Sequence, residues 1–186
     1  RVQKAVGAAS LLTLVDRDIN AIRELDKFKL HGARVLHGDF ASTAKALAAA
    51  NEQFDMILVD LGVSSPQLDK GERGFSFRFD GPLDMRMDSR SPTTAGDMVN
   101  HYPADELARI IREYGEEPPG KARRFATAIV EARPIGTTGE LADVILRAHR
   151  GPRKKVHPAT RTFQALRIAV NDELGQVSDM LKHIPR

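Results

Sequence analysis

The sequence contains no cysteine, which removes disulfides, thiolate metal sites and cysteine nucleophiles together and fits a reducing interior. No apolar run approaches the roughly 18 residues needed to cross a bilayer, and there is no internal repeat or low-complexity tract. A Gly-x-Gly-x-x-Gly loop is missing as well, so a dehydrogenase reading lacks the turn that cradles a dinucleotide phosphate. His101 and His157 have no paired histidine and carboxylate spacing around them, and no metal site is expected. No secretory signal is visible. The chain opens at Arg1 and stops at Arg186 without start-like or end-like features, which reads as a trimmed chain.

What is present is an ordinary globular composition: 186 residues, 41% apolar and 28% charged. That length suits one domain, or a domain with a sizeable insertion. The formal charge of +3 and a pI near 9.3 are compatible with a polyanionic partner without demanding one. The distribution says more. No carboxylate lies between Asp143 and Asp172, while Arg147, Arg150, Arg153, Lys154, Lys155, Arg161 and Arg167 fall in that interval. It is a candidate phosphate-binding surface, or a solvated basic loop.

Short apolar runs alternate with helical patterns over the first third of the chain. Residues 11–15 read as a strand ending at Asp16, 19–28 as a helix with Asp18 near its start, 33–36 as a second strand, 41–50 as an alanine-rich helix, and 56–59 as a third, buried strand ending at Asp60. Alternating strand and helix means an α/β fold with a parallel sheet. From 64 to 91 the composition turns to Gly, Pro, Ser, Asp, Arg and Phe with no sustained period, the mark of a long functional loop. Helical spacing returns over 94–100, 104–114, 121–132 and 138–149, and a long amphipathic helix is expected over 162–181, with Phe163, Leu166, Ile168, Val170 and Leu174 available for burial.

In open α/β sheets ligands bind beyond the carboxyl ends of the strands, where an acidic residue commonly holds ribose hydroxyls. Asp16 stands at such an end, and Asp60 at another. Phe40 follows the second strand end, where its ring could stack on an adenine or seal the sheet edge as core. Phe75, Phe77 and Phe79 in the glycine-rich loop could stack on an unpaired base or pack the loop against the helices.

The run Asp60-Leu61-Gly62-Val63-Ser64-Ser65-Pro66-Gln67-Leu68-Asp69, followed by Glu72-Arg73-Gly74-Phe75-Ser76-Phe77 and Asp80-Gly81-Pro82-Leu83-Asp84-Met85-Arg86-Met87-Asp88, closely resembles the MraW/RsmH family, which methylates a cytidine N4 in 16S ribosomal RNA. Tyr114-Gly115-Glu116-Glu117 and the segment from His157 through Ile168, with Asn171, Glu173 and Leu174, agree with it. The resemblance implies a Rossmann-like class I methyltransferase sheet in 1–67 and 157–186, interrupted by an all-helical substrate-recognition subdomain in 68–156. It also implies a first strand with a Gly-Gly-His-Ser loop ahead of Asp16, and further strands after the last helix, none of which has a match here.

By the same resemblance, S-adenosyl-L-methionine is the cofactor, held by Asp16, Phe40, Asp60 and Gln67. Asp60, Ser64 and Ser65 are the expected catalytic positions. Arg73, Arg78, Arg86, Arg153, Lys154, Lys155 and Arg161 are the expected RNA contacts. The implied partner is small-subunit ribosomal RNA near the decoding centre, naked or in the assembled subunit, with no membrane, in a bacterial cytoplasm or an organelle matrix. Monomer and homodimer stay open. Two rivals stand beside this reading: a non-catalytic RNA-binding or assembly factor on the same scaffold, and a DNA amino-methyltransferase, from whose usual Pro-Pro-aromatic segment Ser65-Pro66-Gln67 departs.

Overall fold

The computed structural model describes residues 12–152 and 155–184. It is an α/β structure, mostly helical, with a small parallel sheet. β1 (Thr13–Asp16) and β2 (Arg34–His37) pair in parallel, Leu14 opposite Val35 and Asp16 opposite His37. Between them run α1 (Ile19–Leu25) and a 3-10 segment, Asp26–His31. Asp18 starts α1 by accepting the backbone N–H of Asn20 at 2.9 Å, which satisfies a donor that the first helical turn leaves unpaired. Gly32, at φ 88, turns the chain into β2 in the left-handed region open to glycine. α2 (Phe40–Ala49) follows directly, capped by Asp39.

The expected third strand does not form among the described residues. Residues 54–60 carry no ladder, and Met56, Ile57 and Leu58 are 81%, 51% and 73% exposed. The apolar run has the composition of a buried strand, but that state needs a neighbouring edge to satisfy its backbone groups, and no described segment supplies one. The loop beyond is more ordered than its composition suggests: it contains α3 (Ser65–Asp69) and a 3-10 turn, Gly71–Arg73.

The remaining helices are α4 (Ala95–His101), α5 (Ala104–Glu113), α6 (Pro119–Glu131), α7 (Thr138–Ala148), α8 (Thr160–Asn171) and α9 (Glu173–Leu181). Reciprocal side-chain caps begin two of them. The Thr94 hydroxyl accepts the Asp97 N–H at 3.0 Å while Asp97 accepts the Thr94 N–H at 2.8 Å, and Thr137 and Glu140 repeat the arrangement at α7. Pro118-Pro119 opens α6, where a missing N–H costs nothing.

The single helix expected over 162–181 is two helices. Asp172 takes φ 46, a left-handed conformation that aspartate tolerates better than most residues, and it ends α8. Phe163, Leu166 and Ile168 are buried as expected, whereas Leu174, on the far side of the break, is 55% exposed.

The chain divides into two compact units. One comprises residues 1–60, 87–89 and 173–186, and the other 61–86 and 90–172. In the first, α9 packs on α2. In the second, α4, α5, α6, α7 and α8 enclose Val99, Leu107, Ile110, Ile111, Phe125, Ile129, Leu141, Ile145 and Leu166, all fully buried. Each large apolar side chain so removed from water contributes about 1.5–3 kcal/mol before entropy is counted.

Candidate functional site

Two carboxylates occupy the strand ends of the first unit. Asp16 closes β1, half-buried, and its Oδ1 accepts the backbone N–H of Asp18 at 2.8 Å. Burial pushes its carboxyl above the ordinary carboxylate range, with the Asp18 charge acting in the same direction and backbone N–H groups only partly offsetting them. Asp39 closes the β2 side. Burial acts upward on it too, but the Ser42 hydroxyl at 2.6 Å and Ser42 N–H at 2.8 Å outweigh burial, so its carboxyl lies below the usual range. Phe40, half-buried, is the first residue of α2. Asp60 is exposed at the end of the ladder-free apolar run. The β1 end therefore holds a partly desolvated carboxylate whose two oxygens form an acceptor pair of the kind that suits vicinal hydroxyls.

Ser64, Ser65 and Gln67 belong to the second unit and form one turn. Ser64 is the N-cap of α3, and the Gln67 amide oxygen accepts the Ser64 backbone N–H at 3.0 Å. Gln67 is buried, and Ser64 and Ser65 are exposed. Ser65 lines a small cavity of about 270 Å³ with Leu68, Asp69, Ser76 and Arg78.

The loop that follows is held by close backbone approaches and by side-chain bonds. Gly74, at φ 69, lies so close to Pro82 that a Cβ would stand 2.2 Å from the Pro82 carbonyl, and a Cβ on Gly81 would stand 2.1 Å from the Gly71 carbonyl. The Met85 N–H bonds the Arg73 carbonyl at 3.1 Å, and Asn171 of α8 donates to the Met85 carbonyl at 2.7 Å. Met85 is fully buried at φ 58. Asp84 receives Arg86 through two parallel bonds of 2.7 and 2.8 Å, which outweigh the upward effect of burial and hold its carboxyl low. Asp80 accepts the Gly139 N–H at 2.8 Å and so ties the loop to the first turn of α7.

The expected RNA-contacting residues have diverse surroundings. Arg73 donates to the Arg86 carbonyl and lies over the Phe75 ring. Arg86 also donates to the Ser91 carbonyl. Arg161 is exposed and donates to the Glu116 carbonyl at 2.9 Å. Arg78 and Lys155 are exposed, whereas Arg153 and Lys154 lie outside the described residues. Of the loop aromatics, Phe75 is buried, Phe77 packs on His157 and edge-on to Phe163, and Phe79 is half exposed.

The residues that reasoning from composition overlooked are Gln67, Asp80 and Asn171. For Gln67 a signal was present: Ser-x-x-Gln is a helix-start pattern with proline inside the first turn. Asp80 and Asn171 act on partners 59 and 86 residues away, which no local pattern encodes. Among the described residues no group of three or more histidines and carboxylates could hold a metal, and no helix is long and apolar enough to cross a membrane.

The model of the MraW methylase family matches residues 4–186. The chain belongs to that family. Curated relatives agree along its length: it is 46% identical over 190 residues to a protein of Synechocystis sp., covering 97% of this chain and 60% of that one. It is 48% identical over 180 residues to one of Deinococcus radiodurans, covering 95% and 57%, and 51% identical over 176 residues to one of Geobacter sp., covering 90% and 56%. All three are named ribosomal RNA small subunit methyltransferase H. The MraW-family chain described here thus spans somewhat more than half the length of these relatives.

Proposed function

We propose that this protein transfers a methyl group from S-adenosyl-L-methionine to the N4 amine of a cytidine in small-subunit ribosomal RNA, near the decoding centre. The observation that carries the reading is the near-complete alignment of this chain with relatives named as small-subunit rRNA methyltransferases. The acceptor pair at the end of β1 supports it. Asp16, a carboxylate partly removed from water, gains from accepting two ribose hydroxyls, each charge-assisted bond contributing about 1.5–3 kcal/mol.

In this reading residues 1–67 and 157–186 are the Rossmann-like, donor-binding domain, and 68–156 the helical substrate-recognition domain. Asp16, Phe40, Asp60 and Gln67 hold the donor, which when bound supplies a methyl group on an electrophilic sulfonium. Cytidine N4 is a weak nucleophile because its lone pair is delocalised into the ring. Placing N4 in line with the methyl carbon supplies roughly 7–11 kcal/mol of the barrier. N4 gains the methyl carbon and loses one proton, for which Asp60 and the Ser64 and Ser65 hydroxyls are acceptors. The base must be unstacked to be reached. Arg73, Arg78, Arg86, Arg153, Lys154, Lys155 and Arg161 are its phosphate contacts.

Labelled methyl transfer to small ribosomal subunits lacking the native methylation, with the complete gene product and its Asp60→Ala variant, tests this. Label at a cytidine N4 with the parent only is the expected result. Label on DNA alone would make the protein a DNA amino-methyltransferase. No transfer to subunits, RNA or DNA by a folded protein would leave a non-catalytic assembly factor.

A further inference from the structure

A second charged feature lies within the helical unit, where Arg147 and Arg150 of the carboxylate-free interval meet Arg124 of α6. α6 and the end of α7 enclose a groove of about 340 Å³ lined by Arg124, Thr127, Glu131, Arg147 and Arg150, with Ala128 and Ala148 as its floor. Arg124 donates Nε–H to the Ala148 carbonyl at 2.9 Å, and Arg147 donates Nε–H to the Asp143 carbonyl at 3.3 Å. These bonds complement the negative end of α7. They use one of the five N–H groups of each guanidinium and hold each side chain in place.

None of the three arginines is in an ion pair among the described residues. This contrasts with Arg109 and Arg112 on neighbouring α5, which are engaged by Glu106 and Glu113. Here one carboxylate, Glu131, stands at the groove against three guanidiniums.

We infer that this groove is a binding site for the phosphate backbone of the RNA substrate. The inference rests on the methyl-transfer reading for the identity of the RNA, and on the groove alone for the phosphate chemistry. Arg124 and Arg147, each with one bond to a carbonyl, and the exposed Arg150 present planar guanidinium N–H groups as forks that match phosphate oxygens. Glu131 disfavours a phosphate at its own end of the groove and so sets where along the strand the phosphates sit. Contacts of this kind orient the substrate and carry no base information.

The test uses the complete gene product, deproteinised small-subunit ribosomal RNA, and three variants: Arg124→Ala/Arg147→Ala/Arg150→Ala, the milder Arg147→Ala/Arg150→Ala at two exposed positions, and Arg112→Ala as a control for loss of charge. RNA affinity is measured against salt concentration, and S-adenosylmethionine affinity is measured in parallel. Each lost phosphate contact lowers the salt slope by about 0.7–0.9. The triple variant is expected to lose about 2–2.7 units of slope and roughly tenfold in affinity, the double variant about two-thirds of this on a logarithmic scale, and the control almost nothing, with donor affinity unchanged throughout.

If the triple variant fails to fold, the double variant decides. Unchanged affinity and slope in the folded variants would overturn the inference even in a protein that methylates subunits. Conversely, an intact slope effect in a protein without transferase activity would leave the groove standing and remove the methyl-transfer reading. Equal displacement of the RNA by polyglutamate of matched charge would reassign the groove to acidic polypeptides, and equal displacement by duplex DNA would remove its preference for RNA.

Discussion

The end of β1 and the loop spanning residues 71–88 both carry carboxylates, and both invite a chemical reading, yet they are built in opposite ways. At the strand end, Asp16 is half-buried and accepts the Asp18 N–H of its own turn, and burial works against its charge. In the loop, Asp80 and Asp84 each accept several bonds, their charge is favoured, and the backbone around them leaves no room for a side chain at Gly74 or Gly81. A group kept at a cost to the fold points to a ligand that recovers the cost. A group whose every bond favours the fold points to architecture. By that criterion Asp80 and Asp84 of the long family motif belong to the architecture of the loop.

The comparison breaks most readily at Gly74. Gly74→Ala places a Cβ against the Pro82 carbonyl at a φ that disfavours side chains. Denaturant unfolding is expected to show a loss of about 3 kcal/mol. A loss below roughly 1 kcal/mol, within the ordinary range of single substitutions, would mean the loop yields and is no rigid frame.

Asn171→Ala comes next. It removes donors to the Met85 and Arg167 carbonyls and leaves the buried Met85 oxygen without that bond, an expected cost of about 2 kcal/mol. A cost near zero would show that the loop keeps its shape without α8.

The smallest effect has the opposite sign. Because the Asp16 pKa is raised in the folded state, the native protein holds this proton more tightly than the unfolded chain does. Its stability contribution is intact below the ordinary carboxylate pKa, near 4, and is lost as pH rises through the raised value. Asp16→Asn is therefore expected to melt at or above the parent temperature at neutral pH, the advantage vanishing in acid, while its affinity for S-adenosylmethionine collapses. A variant less stable than the parent at neutral pH would place Asp16 with the structural carboxylates.

Local patterns made much of this legible. β1, β2 and the intervening helix follow from short β-branched runs and the Asp18 cap, and α4 to α7 from capping residues and 3.6-residue periodicity. The third strand was misread because composition reports that a segment suits burial, and strand pairing depends on a neighbour that composition does not contain. The break at Asp172 was missed because periodicity continues through it, and one left-handed residue leaves no trace in the pattern. Within the candidate site the place of Asp16 at a strand end was readable from position, whereas Asp60 was placed at the end of a strand that does not form. The roles of Asp80 and Asn171 were not, since their partners lie far along the chain.

That last separation bears on how the protein is made. The Met85 carbonyl leaves the ribosome 86 residues ahead of the amide that binds it. At about 5–20 residues per second the wait is on the order of ten seconds. During that time Phe75, Leu83 and Met85, all buried at the end, have only part of their surroundings. Burial of these side chains is thus complete only once α8 is made, and slowing translation between codons 86 and 171 would lengthen their exposure.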